Sequence, residues 1–236
     1  MTHSITYTNK LLQGLPDDDR TLLSGLLEPV VLYKGTQLAW ANQPITHVYF
    51  LESGVASIVA KSPEGHETEA GMFGREGFGP TAPALGVDRH PLDTFIQVPG
   101  EGYRLSAAAL NDCLLASPAL SRSLLAFSHV MAVQAMYTGL SNAVHQVDER
   151  LGRWLLMCHD RVDGDELALT HEYLSLMLSV RRPSVTTALH ILEGNRFIRA
   201  QRGQITIRDR AKLEEFAVDT YGAPEAEYRR LLGAMR

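Results

Sequence analysis

The segment Thr170 to Leu192, THEYLSLMLSVRRPSVTTALHIL, constrains the fold most, because its apolar residues have the spacing of two short helices broken by a tight turn. The first helix is expected to start on Thr170, whose hydroxyl can accept from a first-turn amide, with Glu172 where the helix dipole favours an anion. It would bury Leu174, Met177 and Leu178. The second is expected to open at Arg182-Pro183, since a first-turn proline forfeits no intrahelical hydrogen bond. Val185, Leu189 and Leu192, spaced by four and three, give it one buried face, and Arg182, Thr186 and His190 fall opposite. Arginine can pair bidentately with guanine, and threonine can meet a thymine methyl or a phosphate, so this exposed chemistry suits base-edge reading in the major groove. The same residues also fit a solvated helical hairpin inside some other domain.

The residues just beyond Leu192 favour base reading over a solvated hairpin. Asn195 to Ile207, NRFIRAQRGQITI, offers two β-prone runs, Phe197–Arg199 and Gln204–Ile207, around a turn at Gln201-Arg202-Gly203. A hairpin directly after a recognition helix is a wing. From Thr170 to Lys212 the chain holds eight Lys and Arg against three Asp and Glu, a local excess of five positive charges. A basic cluster usually marks a solvated face, but coincidence with a helix-turn-helix and a wing makes phosphate contact the expectation. Candidate contacts to double-stranded DNA are Arg181, Arg182, Ser184, Thr186, Thr187 and His190 at the second helix, with Arg199 and Arg202 in the wing.

The rest of the chain is acidic. Net charge is −5, and residues 1–115 alone carry thirteen Asp and Glu against seven Lys and Arg. That excludes a protein that coats nucleic acid with its whole surface, yet leaves room for one basic face. At 236 residues the chain can bury two cores. Residues 1–30 show no basic region followed by an apolar run, and Asp17-Asp18-Asp19 interrupts any such pattern, so the expected location is the cytoplasm. Cys113 and Cys158 are too few for a four-thiolate cluster and too isolated for a zinc knuckle; buried, reduced thiols are expected. The histidines form no HExxH pattern, and Cys158 and His159, adjacent on a helix, would point about 100° apart. No metal site is expected. No nucleophile–base pairing stands at an informative spacing either, so the chain does not read as an enzyme.

Residues 118–146 read as one long helix. Within it Ala126, Val130, Val133, Tyr137, Leu140 and Val144 recur at steps of four and three, the seam expected of a helix pairing with a copy of itself. A second set, Leu124, Phe127, Met131 and Gln134, lies on another face and should pack on the chain's own N-terminal part. A membrane span is disfavoured: Ser128, His129, Gln134 and Thr138 interrupt the apolar run over residues 124–140, which at 17 residues is at the short limit for crossing a bilayer. The expected partner of the seam is a second copy of the chain.

Residues 30–105 are mostly β, in short runs such as HVYFLESG and DTFIQVPGEGYRL separated by Gly, Pro, Asn and Asp, with Pro63-Glu64-Gly65 as a hairpin tip. The order is therefore a small β-roll, a long helix, then a winged helix-turn-helix. Through VYFLESG at Val48 to Gly54, GREGFG at Gly74 to Gly79, the helix from about Pro118, and LSLMLSVRRPSVTTALHILE at Leu174 to Glu193, the chain resembles the Crp/Fnr family of bacterial transcription regulators over nearly its whole length. The fold class expected is α+β: a cyclic-nucleotide-binding-like sensor β-roll at 1–117, a dimerisation helix at 118–146 and a winged helix-turn-helix DNA-binding domain at 147–236.

The resemblance implies a homodimer on a palindromic promoter site, contact with RNA polymerase, and a sensor whose state reorients the DNA-binding pair. Two departures stand out. Family members often carry an acidic residue directly after the reading arginine, where this chain has Pro183, so operator preference does not transfer. Cyclic-nucleotide-binding relatives carry Phe-Gly-Glu, whose acid grips the ribose, where this chain has Phe78-Gly79-Pro80; Arg89-His90-Pro91 stands near the position of their phosphate-pairing arginine. Candidate effector contacts are thus Gly77, Phe78, Gly79, Thr81 and Arg89, with no cofactor assigned. An iron–sulfur sensor needs an N-terminal cysteine set, and residues 1–112 contain no cysteine. Cyclic nucleotide and haem both stay open as effectors, although no particular histidine is selected as a haem ligand. The competing reading is a ligand-binding protein whose degenerate helix-turn-helix acts through protein contacts.

Overall fold

The computed structural model describes residues 7–235, so the two chain ends of the expected first and third segments, residues 1–6 and 236, lie outside the described residues. Two short helices, α1 (Lys10–Gln13) and α2 (Asp17–Ser24), lead into eight strands: β1 (Glu28–Leu32), β2 (Gln37–Ala39), β3 (His47–Leu51), β4 (Val55–Lys61), β5 (Glu67–Phe73), β6 (Phe78–Gly79), β7 (Leu92–Val98) and β8 (Gly100–Ser106). They form two four-stranded antiparallel sheets, in the orders β1-β8-β3-β6 and β2-β7-β4-β5. Alternation explains the inward set: Val48 and Phe50 of β3 are wholly buried, while His47 and Tyr49, at the alternate positions, are half-buried. The β4–β5 hairpin turns at Pro63-Glu64-Gly65 as expected, with Gly65 N–H donating to Ser62 O at 2.9 Å and Gly65 at φ +85°.

Helix α3 (Ala107–Ala116) then hands over to α4 (Pro118–Val144), the long helix, which starts on the Ser117 hydroxyl and a first-turn proline. Leu124, Phe127, Met131 and Gln134 all face the β-roll and are buried. The Gln134 amide grips strand β5: its Oε1 accepts from Met72 N–H at 2.7 Å and its Nε2 donates to Met72 O at 3.2 Å. Gly71 makes this possible, because a Cβ there would lie 2.8 Å from Gln134 Oε1.

The C-terminal part comprises α5 (Val147–His159), β9 (Glu166–Leu167), α6 (His171–Met177), α7 (Arg182–Gly194), β10 (Ile198–Gln201), β11 (Gln204–Ile207), α8 (Arg210–Phe216) and α9 (Ala223–Leu232). Strand β9 adds to the wing, giving the order β10-β11-β9. Two apolar cores result. One fills the β-roll with Phe50, Phe73, Phe78, Phe127 and, from α9, Tyr228. The other joins Val55, Val59 and Met72 from β4 and β5 to Leu155, Leu174, Val185, Leu189 and Ile205, so the helix-turn-helix shares a core with the outer face of a β-roll sheet. Among the described residues no helix is long and apolar enough to cross a membrane.

Helix α9 changes the picture of the expected pairing seam. Phe127 meets the Tyr228 ring edge-on at 6.4 Å, and His129 Nε2 lies 3.0 Å from Glu227 Oε1. At about 100° per residue these two positions bracket the line through Ala126, Val130 and Val133. The chain's own C-terminal helix therefore lies along the upper half of that line: Val130 is buried in the first core, and Ala126, Val133 and Tyr137 are half-buried. Leu140 and Val144, lower down, are exposed. The continuous exposed apolar stripe of α4 is displaced around the helix, through Leu125, Ala132, Met136, Leu140 and Ala143, with Met136 71% exposed.

Candidate nucleic-acid interface

The helix-turn-helix is built as its local chemistry dictates. Thr170 Oγ1 accepts from Tyr173 N–H at 3.2 Å, and α6 buries Leu174 and Met177. The turn passes through Ser179 at φ +51°, held by Ser179 N–H to Leu176 O (3.1 Å) and Val180 N–H to Ser175 O (3.0 Å). Helix α7 opens with Arg182-Pro183 and buries Val185, Ala188, Leu189 and Leu192. Arg181, Arg182, Thr187 and His190 are exposed, and Ser184 and Thr186 are half-buried. The threonine hydroxyls are spent on the helix itself: Thr186 Oγ1 donates to Arg182 O at 3.2 Å and Thr187 Oγ1 to Pro183 O at 3.1 Å.

The wing is pinned to α7, because Glu193 Oε1 accepts from Ala200 N–H at 2.9 Å. Its strands pair from Ile198 with Ile207 to Gln201 with Gln204, leaving Arg202-Gly203 as the tip, with Gly203 at φ +76°. Between recognition helix and wing runs a groove of about 920 Å³, bordered by His171, Arg182, His190, Gln201 and Arg202.

Charge is distributed less evenly than the sequence count implies. Arg210 is committed to Asp160 (2.7 Å) and Glu214, and Lys212 to Asp209 (3.1 Å). Arg181, Arg196, Arg199, Arg202 and Arg208 are exposed and make no ion pair among the described residues. Arg182 is held by Glu172 of α6, Nη2 to Oε2 at 2.7 Å, with 59% of its side chain exposed. Such an exposed pair contributes little, so DNA can displace the carboxylate. Sequence reasoning read Glu172 only as a dipole-complementing acid and missed its hold on the reading arginine; the spacing across the turn gave no signal for it.

The five residues considered for an effector lie in contrasting settings. Phe78 is wholly buried, stacked on Phe50 at 5.5 Å and tilted against Phe127 at 5.6 Å. Gly77 and Gly79 are pressed against aromatic rings: an added Cβ would come within 1.9 Å of Phe127 and 2.4 Å of Phe73 respectively. Thr81 is half-buried, and Arg89 sits at the surface paired with Asp88 at 3.0 Å. These glycines therefore serve core packing at this segment.

A polar cluster absent from the sequence reading joins the two parts. Glu69 of β5 is buried, its Oε2 accepting from Ser57 Oγ at 2.6 Å and its Oε1 from the Trp154 indole N–H of α5 at 2.7 Å. Burial pushes its carboxyl up to about 7, although Ser57 and Trp154 act against the rise. Nearby, Arg161 and Glu76 form a wholly buried pair at 2.8 Å, and Tyr228 O–H donates to Glu76 O at 2.7 Å. Burial opposes the Arg161 charge, but Glu76, Asp160 and Glu225 outweigh it and raise the pKa.

A basic recognition helix with a wing, docked through a shared core on a β-roll, defines a winged helix-turn-helix protein. Residues 149–216 match the family described as the Crp-like helix-turn-helix domain. Over 88% of its length the chain shares its fold with 97% of a protein from Eubacterium rectale described as a transcriptional regulator of the crp/fnr family (19% identity, TM-score 0.68). It also matches FixK2 from Bradyrhizobium japonicum (17%, 80% and 96%, 0.67) and the c-di-GMP responsive global regulator CLP of Xanthomonas campestris (16%, 81% and 99%, 0.64). No curated protein matches by sequence. Residues 149–216 thus form a Crp-like helix-turn-helix domain, and the chain shares the fold of these solved regulators.

Proposed function

We propose that the protein acts as a homodimer that sets its two recognition helices into successive major grooves of a palindromic promoter site, about 34 Å apart, without a cyclic nucleotide. The observation that carries the DNA reading is the α7 N-terminus, where Arg181 and Arg182 are exposed beside a wing whose Arg199 and Arg202 have no protein counter-charge among the described residues. In this reading Arg182 leaves Glu172 and pairs with a base edge, most favourably guanine O6 and N7. Ser184, Thr186, Thr187 and His190 face the groove, and Arg199 and Arg202 neutralise phosphates. The exposed stripe of α4 from Leu125 to Ala143 supports pairing with a second copy.

Two features support a sensor without cyclic nucleotide. Pro80 stands where the ribose acid would be, and Phe78 is enclosed by Phe50 and Phe127. The β-roll then serves chiefly as the body on which the helix-turn-helix is held. Family likeness further points to RNA polymerase as a partner and to the cytoplasm as the location. Genome-wide mapping of bound sites, followed by footprinting on the recovered sequences, tests the proposal: it requires reproducible sites with two-fold symmetric half-sites. Recovery of no enriched sequence would reject it in favour of a degenerate helix-turn-helix.

A further inference from the structure

A cavity of about 20 Å³ lies where β5, α4, α5 and α6 meet, bordered by Glu69, Thr138, Ser141, Arg150, Arg153 and Trp154. It has room for one water-sized sphere. Two guanidiniums border it with no carboxylate of a described residue in ion-pair contact, Glu225 and Glu69 acting on Arg153 only from farther off. Arg153 is 5% exposed, forms no ion pair with a described residue, and donates through Nη2 only to Thr138 Oγ1 at 3.2 Å and Gln134 O at 3.5 Å. Arg150 donates one Nη2 to Leu178 O, while its Nε is buried with no protein partner. Ser141 is 3% exposed, and its Oγ also has no partner among the described residues. Glu69, the acid on the cavity wall, has both oxygens engaged by Ser57 and Trp154.

Buried charge is costly unless it is paired, and buried donors are normally satisfied. Here two cationic groups and an unsatisfied hydroxyl border one small space. We propose that this cavity binds a single monovalent inorganic anion of chloride size, with Arg150 and Arg153 supplying the charge and Ser141 Oγ a hydrogen bond. A tetrahedral oxyanion or a nucleotide exceeds the space. The bound anion ties the C-terminal turns of the long helix to α5, next to the end of α6, and so stiffens the joint on which the helix-turn-helix sits.

Affinity rises as pH falls, because a proton on Glu69 removes the negative charge that competes with the anion. The other groups facing Glu69 are Ser57 of β4, Gln97 of β7, Trp154, Arg153 and Cys158 of α5, Arg161 just beyond it, and Tyr173 of α6. Burial pushes the Cys158 thiol and the Tyr173 hydroxyl up, so both stay neutral where Glu69 titrates.

The test is thermal unfolding of the full chain in sodium chloride, sodium bromide and sodium gluconate at equal ionic strength. A halide at ten times its Kd raises Tm by about 3–6 °C over gluconate. Ser141→Ala leaves Tm in gluconate unchanged, since the hydroxyl has no protein partner, and weakens the halide about tenfold. Crystals grown in bromide show an anomalous peak within hydrogen-bonding distance of Ser141 Oγ. Equal Tm in chloride and gluconate, a halide gain undiminished in Ser141→Ala, or water density alone at the cavity overturns the proposal.

Discussion

Replacing Glu69 by glutamine isolates one proton at the junction of β-roll and DNA-binding domain. Ser57 Oγ lies 2.6 Å from Glu69 Oε2 and 2.5 Å from Gln97 Oε1, two acceptors, with one hydroxyl hydrogen to share. The chain closes when Glu69 carries a proton: Glu69 donates to Ser57, Ser57 donates to Gln97, and the Trp154 indole donates to the other carboxyl oxygen. A glutamine amide at this position reproduces that pattern at every pH. In the folded chain burial pushes the carboxyl up from 4.5 to about 7. By linkage this gap corresponds to about 3 kcal/mol.

The sign follows from which state holds the proton more tightly. The folded pKa is raised, so the stabilisation by the neutral acid is fully present below about pH 4.5 and is lost as pH rises through about 7. Glu69→Gln (E69Q) should therefore be close to wild type at pH 5 and more stable by about 3 kcal/mol at pH 8. Urea unfolding of both proteins at pH 5, 6, 7 and 8 measures this, and contributions common to both cancel in the difference. A stability difference that is flat with pH, or a wild type more stable than E69Q at pH 8, would refute the assignment of a buried, proton-holding carboxyl.

Arg182→Ala should weaken specific operator binding by roughly 1–3 kcal/mol and relax one position in each half-site, read by quantitative gel shift against operator variants. Unchanged preference would remove Arg182 from base reading. Arg202→Ala at the wing tip should weaken all duplexes alike and lower the slope of log K against log salt by about one; a loss confined to the operator would make it a base contact instead. Met136→Glu with Leu140→Glu places charges in the exposed stripe of α4 and should give monomers in sedimentation that bind half-sites poorly. The same experiment with Val133→Glu alone, on the side bracketed by α9, should instead lower folding stability, and a stable monomer from that variant would return the pairing seam to the line through Ala126, Val130 and Val133.

The helix-turn-helix was legible because its determinants are local. Thr170 caps, Pro183 starts and the four-three spacing of Val185, Leu189 and Leu192 faces one way, and each of these signals acts within a turn or two of helix. The alternating strands and the Pro63-Glu64-Gly65 tip were readable for the same reason. What escaped depends on contacts between residues far apart in the chain. Nothing around Ala126 to Tyr137 announces that a helix a hundred residues later will lie beside them, and Val130 is as apolar when it packs on its own chain as when it packs on a partner. Likewise Gly77 and Gly79 read as candidate effector contacts, whereas the rings of Phe127 and Phe73 press on them. Glu69 and Arg153 are ordinary surface-type residues, and Trp154 an ordinary core aromatic, until the fold brings β5 against α5.

The position of that contact bears on how a β-roll can influence DNA. Val55, Val59 and Met72 share a core with the residues that back the recognition helix, Val185 and Leu189, so β-roll sheet and reading element are in direct apolar contact. Close-packed interiors do not deform gradually. A change at β4 or β5 must therefore either leave the recognition helix where it is or move it together with α5 as a body. The polar groups at the seam, Glu69 with Ser57 and Trp154, and Glu76 with Arg161, penalise partial separation, because any opening that falls short of full solvation leaves a buried charge or donor unpaired. Any movement of the recognition helix relative to the β-roll is thus expected to be two-state, set by whether the seam between β5 and α5 is closed.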